Sequence, residues 1–176
     1  MATKQSKSTF IPMQPDKEAF LALIEKHKGI IFKICYLYCP KKEDRDDLAQ
    51  EIVFNLWKAF PDFTPAAQFS TWMYRIALNV AISFFRKEQR AIRFSPCEKD
   101  LIVFEEDPAA RAETEYRLQR LQQLIQELNE IDRSIMFLYL NDKTYQEIAG
   151  IMGISLTNVA TKISRIRQKL KSKFYQ

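Results

Sequence analysis

Three glycines in 176 residues constrain this chain more than any other feature. Glycine supplies the positive-φ positions that close hairpins and the bare backbone that cradles phosphates. Such scarcity argues against a sheet-rich fold and against glycine-rich nucleotide loops. Long runs of good helix formers predict an all-α chain instead. No apolar run approaches the ~20 residues needed to span a bilayer. Residues 1–10 are polar and lack the apolar core of a secretory signal. The expectation is a soluble, cytoplasmic protein with no direct membrane insertion.

The length fits one ordinary domain or two small ones, and the helical pattern favours two. Residues 1–15 read as disordered. Helical periodicity then begins at Asp16, a fitting N-cap, and carries Phe20, Leu23, Ile24, Ile31 and Ile34 as core candidates up to Pro40. A second helix is expected over 44–60 on the stripe Leu48, Ile52, Leu56 and Ala59. Pro61 and Pro65 bracket a loop, and Ser70 or Thr71 is expected to cap a third helix running to about Arg90. Periodicity fails over 93–107, an acidic and flexible linker between a first domain at 16–92 and a second at 108–176. Asp107-Pro108, an N-cap followed by proline at the first helical position, opens the second domain. There Leu118, Leu121, Ile125 and Leu128 form one stripe, and Ile131, Ile135 and Leu138 another.

Charge follows the same division. Residues 1–95 hold 15 Lys and Arg against 10 Asp and Glu, residues 96–130 hold 4 against 9, and residues 131–176 hold 8 against 3. Two basic segments flank an acidic one, a distribution suited to a polyanion, although two solvated basic faces would look the same. The three cysteines, Cys35, Cys39 and Cys97, are odd in number and follow no secretory signal, which argues against a disulfide framework. Cys35 and Cys39 lie one helical turn apart downstream of His27, but a metal site would lack a fourth ligand. They read as buried structural thiols, and no metal or other cofactor is expected.

The segment 141–174 has the layout of a helix-turn-helix. Asn141-Asp142 makes a turn, and Thr144 with Glu147 three residues on forms a capping-box pattern for a helix to Met152. Gly153 ends that helix, Ser155 can cap the next, and Ala149 is small where the two helices cross. On the second helix Val159, Ile163, Ile166 and Leu170 face inward. Thr157, Asn158, Thr161, Lys162, Arg165 and Lys169 are left on a polar face, and residues 157–176 hold six cations and no acid. Such side chains reach base edges and phosphates when a helix enters the major groove, and the binding should weaken as salt rises.

Seven aromatics lie between Phe54 and Tyr74, and Arg75, Asn79, Arg86, Lys87, Arg90 and Arg93 follow. Core packing accounts for most of those rings. Aromatics beside cations can also hold a single strand, the rings stacking bases while the cations track phosphates. From the residues alone both readings stand.

The string Asp47-Leu48-Ala49-Gln50-Glu51-Ile52 with Leu56-Trp57, followed by Phe69-Ser70-Thr71-Trp72-Met73-Tyr74-Arg75-Ile76-Ala77-Leu78-Asn79, resembles region 2 of bacterial sigma-70-type factors. Thr144-Tyr145-Gln146-Glu147-Ile148-Ala149, with Gly153-Ile154-Ser155 and Ile163-Ser164-Arg165-Ile166-Arg167-Gln168-Lys169-Leu170, resembles region 4. The order is right, and the length leaves no room for further regions, as in the extracytoplasmic-function group.

The resemblance implies a sigma factor, not an enzyme. Asp47, Gln50, Glu51 and Asn55 would dock on the clamp helices of the polymerase β′ subunit, and the chain would also meet the flap of β. Loop 61–70, with Phe63 and Phe69, would capture a flipped base of the melted minus-ten element, Trp72 being core. Asn79, Arg86, Lys87 and Arg90 would hold that strand and its phosphates. Thr157, Asn158, Thr161, Lys162 and Arg165 would read the minus-thirty-five element as duplex. The acidic linker would thread the polymerase's RNA path, and an anti-sigma partner would silence the factor. Two departures fall where promoter sequence is read: Thr64 stands where the family's loop commonly has glycine, and Thr157-Asn158 replaces the usual Gly-Thr pair.

Two other readings can be weighed. A free-standing helix-turn-helix regulator would bind duplex DNA without polymerase. An enzyme would need a nucleophile–base pair, a metal set or a phosphate loop, and the sequence offers none beyond the lone His27.

Overall fold

The computed structural model describes residues 16–64, 68–92 and 112–174, apart from the side chains of 90–92 and 112–115. Among them the chain forms seven α-helices, one short 3-10 turn and no strand. The order is α1 (Lys17–Tyr38), α2 (Lys42–Ala59), the 3-10 turn Phe60–Asp62, α3 (Phe69–Ile92), α4 (Ala112–Gln126), α5 (Glu130–Leu140), α6 (Tyr145–Met152) and α7 (Leu156–Phe174). The acidic linker and the Asp107-Pro108 helix start lie outside the described residues.

Helices α1 to α3 pack against one another as a three-helix unit. The Asp16 carboxylate accepts the Glu18 and Ala19 amides and so caps α1. On α2, Leu48, Ile52 and Leu56 recur every four residues and are fully buried, each contributing ~1.5–3 kcal/mol of hydrophobic stabilisation. Helix α2 starts two residues before Asp44 and lacks a side-chain cap. Helix α3 starts at Phe69, so Ser70 and Thr71 lie in its first turn and do not cap it. The Gln68 carbonyl accepts the first helical bond, from the Trp72 amide at 3.1 Å.

Helices α4 to α7 form the second unit, built around α7. Val159, Ile163, Ile166 and Leu170 are all buried, as their spacing predicts. The stripe expected on α4 is rotated. Leu118 is 56% exposed, whereas Leu124 is 1% exposed and takes the core position beside Ile125 and Leu128.

Helix α5 departs furthest from expectation. Residues 133–138 are all buried, Arg133 and Ser134 among them. A helix with one buried face leaves polar residues to solvent on the other. Helix α5 has two buried faces because it packs on α7 and also on α3 of the first unit. Tyr74 and Phe137 meet edge to face across that boundary, their centroids 6.3 Å apart. The two units are therefore in direct contact.

Candidate nucleic-acid interface

Local backbone chemistry sets the angle between α6 and α7. The Thr144 hydroxyl accepts the Glu147 amide, and the Glu147 carboxylate accepts the Thr144 amide at 2.8 Å, closing the capping box. Lys143 beside Glu147, together with the Thr144 hydrogen bonds, pulls that carboxyl down to about 2. Gly153 ends α6 at φ 67°, and the Ile154 amide closes back onto the Ala149 carbonyl at 3.2 Å. The Ser155 hydroxyl accepts the Asn158 amide and starts α7.

The turn presents the outer face of α7 to solvent. Thr157, Asn158, Thr161, Arg165 and Lys169 are all exposed there. Thr161 turns its hydroxyl back to the Thr157 carbonyl at 2.9 Å. Lys162 differs from its neighbours: it is half-buried and its Nζ lies 2.8 Å from Asp132 Oδ1. It helps to fix α5 on α7, and contact with a phosphate or base requires that bond to break or be shared.

A second polar stripe runs along α3. Arg75, Asn79, Ser83, Arg86 and Lys87 are exposed at spacings of three and four, with Arg90 next in register, its side chain outside the described residues. Arg86 does not stand free, since its Nε donates to Glu130 Oε1 of α5 at 2.7 Å. Backbone hydrogen bonding at Glu130 and that guanidinium hold the carboxyl below its usual range.

The aromatics at the start of α3 pack chiefly on one another. Phe69 is buried, with Phe63 at 5.4 Å, Trp72 at 5.3 Å and the His27 ring at 5.4 Å. Phe63 stacks parallel to Phe60 at 6.2 Å and is only half-buried, at the edge of the loop. The pair named from sequence thus divides: Phe63 has accessible surface, while Phe69 supports it from beneath. Residues 65–67 of this loop lie outside the described residues.

On α2, Asp47, Gln50 and Glu51 are exposed, whereas Asn55 is half-buried and donates to the Glu51 carbonyl at 2.8 Å. Next to them an apolar groove of about 710 Å³ opens between α1 and α2, lined by Phe20, Leu21, Ala49, Val53 and Phe54 among others. Phe54, 65% exposed, has no role in the core. It lies two residues from both Ile52 and Leu56, off the stripe they define, and that offset was a signal the sequence reading passed over.

Cys35 and Cys39 are buried in the three-helix core, and burial pushes their thiols up to about 11 and about 12. No cluster of three or more metal-ligating side chains occurs among the described residues. No described helix is long and apolar enough to cross a membrane.

Two family models match the chain. "Sigma-70 region 2" aligns with residues 23–91 and "Sigma-70, region 4" with residues 118–170. Among related proteins, the extracytoplasmic-function RNA polymerase sigma factor SigW of Bacillus subtilis is 27% identical over 170 residues, covering 89% of each chain. The sigma-E factor of Escherichia coli K12 is 26% identical over 170 residues, covering 90% of this chain and 87% of its own. Among solved structures, CnrH in complex with the cytosolic domain of CnrY superposes with a TM-score of 0.63 at 22% identity, over 89% of this chain and 88% of that one. The sigma factor RpoE of Bartonella quintana, solved with the anti-sigma factor NepR, gives 0.64 at 18% identity, over 89% and 94%.

Proposed function

The chain belongs to the sigma-70 family of RNA polymerase sigma factors, in its extracytoplasmic-function group, and from that premise we propose how its residues divide the work. The protein binds core polymerase, recognises minus-thirty-five and minus-ten promoter elements, and promotes promoter opening. The observation that carries this is the presence of both regions, in order, on one chain. A free-standing regulator needs only the second. Sigma factors are not enzymes, and the protein's contribution is binding and positioning.

Residues 16–92 form the core-binding and minus-ten unit, residues 93–107 the linker, and residues 108–176 the minus-thirty-five unit. Asp47, Gln50, Glu51 and Asn55 meet the β′ clamp helices, with Val53 and Phe54 adding apolar contact beside them. Phe63, on its bed of Phe69, receives the flipped base. Asn79, Arg86, Lys87 and Arg90 hold the single strand and its phosphates. Thr157, Asn158, Thr161 and Arg165 enter the major groove, and Lys162 joins them if Asp132 releases it. The second unit contacts the β flap. An anti-sigma protein holds the factor in reserve, a reading supported by the Bartonella quintana factor's having been solved in complex with the anti-sigma factor NepR. The site of action is the cytoplasm, where polymerase and promoter are.

Run-off transcription with purified core enzyme and a template library tests this reading. Promoter-specific transcripts are expected only when the chain is added. Their absence with active core enzyme would overturn it.

A further inference from the structure

We propose that Asp132 is a positioning residue for promoter binding: it withholds the Lys162 ammonium from duplex phosphates, so that the recognition face binds DNA more weakly than its cations would allow. The inference rests on the promoter-binding reading above and gives a part to Asp132, which that reading leaves without one.

Lys162 stands at the edge of the recognition face. Along α7, Asn158 lies one turn before it and Arg165 one turn after, both exposed, while Val159 and Ile166 on its other flank are buried. Its stem leaves the helix where the polar face meets the core, and its Nζ donates to Asp132 Oδ1 of α5 at 2.8 Å. That acceptor is pinned. Asp132 Oδ2 accepts from Asn129 Nδ2 at 2.8 Å, and the Asp132 amide donates to Asn129 Oδ1 at 2.9 Å. Asn129 is the N-cap of α5 and Asp132 its third residue, so the start of the helix fixes the carboxylate and its dipole favours the negative charge.

Exchange of this partner for phosphate is unfavourable. A phosphate that drew Lys162 away would leave Asp132 unpaired and set a second anion beside it. Arg165 meets a phosphate without that loss, since it has no ion pair among the described residues. While paired, Lys162 has no net charge with which to neutralise a phosphate, and it releases no counterion. Phosphate contacts carry no sequence information. Withholding Lys162 therefore lowers affinity for every duplex alike and leaves base reading to Asn158, Thr161 and Arg165. The isolated chain is kept weak on duplex DNA, and promoter binding waits for the polymerase.

The test measures binding of the full chain, by fluorescence anisotropy, to a minus-thirty-five duplex mapped by run-off transcription and to a scrambled duplex, as salt is varied. Asp132→Asn removes the charge and keeps the shape. Glu25→Gln is the control, because it frees the exposed Lys28 from its ion pair in the same way on α1, outside the recognition unit. Asp132→Asn should bind both duplexes at least about threefold tighter than the parent at ~0.1 M salt, and the fall of log affinity with log salt should steepen by about 1. Glu25→Gln should change affinity by less than about 1.5-fold and leave the slope as it was. Adding Lys162→Met to Asp132→Asn should abolish the gain. A merely structural pair would lower the melting temperature on loss of Asp132 and leave the salt slope unmoved. An unchanged slope in a folded Asp132→Asn chain, or a gain that survives Lys162→Met, would overturn the inference. If Asp132→Asn fails to fold, lysine-ammonium NMR of the parent on the duplex decides. A coupling between the Lys162 nitrogen and a duplex phosphorus would overturn the inference, and a Lys162 signal unmoved by the duplex would support it. A parent that binds both duplexes equally and yields no promoter-specific run-off product would overturn the promoter reading, and this inference with it.

Discussion

Arg165 stands exposed on α7 with no ion pair among the described residues, whereas Lys162, three residues away, is held by Asp132. Both are cations on a helix with none of the opposite sign, so sequence placed them together. Only the fold separates them, because Asp132 arrives from α5. Arg165→Ala should therefore weaken minus-thirty-five binding by about 1–3 kcal/mol and leave core binding intact. Competition assays on promoter and on core enzyme check this, and equal loss in both would refute the assignment. The thiols give a second residue-level prediction. Cys35 and Cys39 are buried and their pKa values lie far above neutrality, so the reactive thiolate is scarce. An alkylating reagent at pH 8 should modify them only in denaturant, as peptide mapping by mass spectrometry would report.

At the scale of elements, α6 shows what local sequence can specify. Thr144, Glu147, Gly153 and Ser155 each act within four residues of where they stand, which is why caps and turn were legible without tertiary information. Thr144→Ala should cost ~1 kcal/mol of stability. The Glu147 carboxyl, moved from 4.5 down to about 2, contributes stability in full above pH 4.5 and loses it as pH falls towards 2. The melting temperature of Glu147→Gln should thus lie below that of the parent at neutral pH, and the gap should close through that window. A gap independent of pH would contradict the ion pair. The start of α3 was misread for a related reason. Ser70 and Thr71 are good caps, but Phe69 is drawn into the aromatic cluster with Phe63 and Trp72, and the helix starts two or three residues earlier than either cap would set it.

At the scale of the molecule, the all-α architecture follows from helical periodicity, and the packing of α5 and α6 on α3 does not. Helix α5 carries Arg133 and Ser134 on the face that meets Tyr38 and Phe85, and polar residues read as a solvated face in any one-dimensional pattern. The apolar groove beside Gln50 was hidden in the converse way, since seven aromatics in one stretch read mostly as core and nothing singled out Phe54 as the exposed one. The candidate interface was thus legible in its charges and caps. Its packing was legible only where one helix buries one face.

The central claim is that this chain opens a promoter only as part of a polymerase. Permanganate reactivity of thymines in a mapped minus-ten element measures that directly, because it reports unpaired bases. Core enzyme plus the chain should expose those thymines, while either one alone should leave them protected. Thymines that stay protected in the reconstituted complex, or that the isolated chain exposes on its own, would contradict the account.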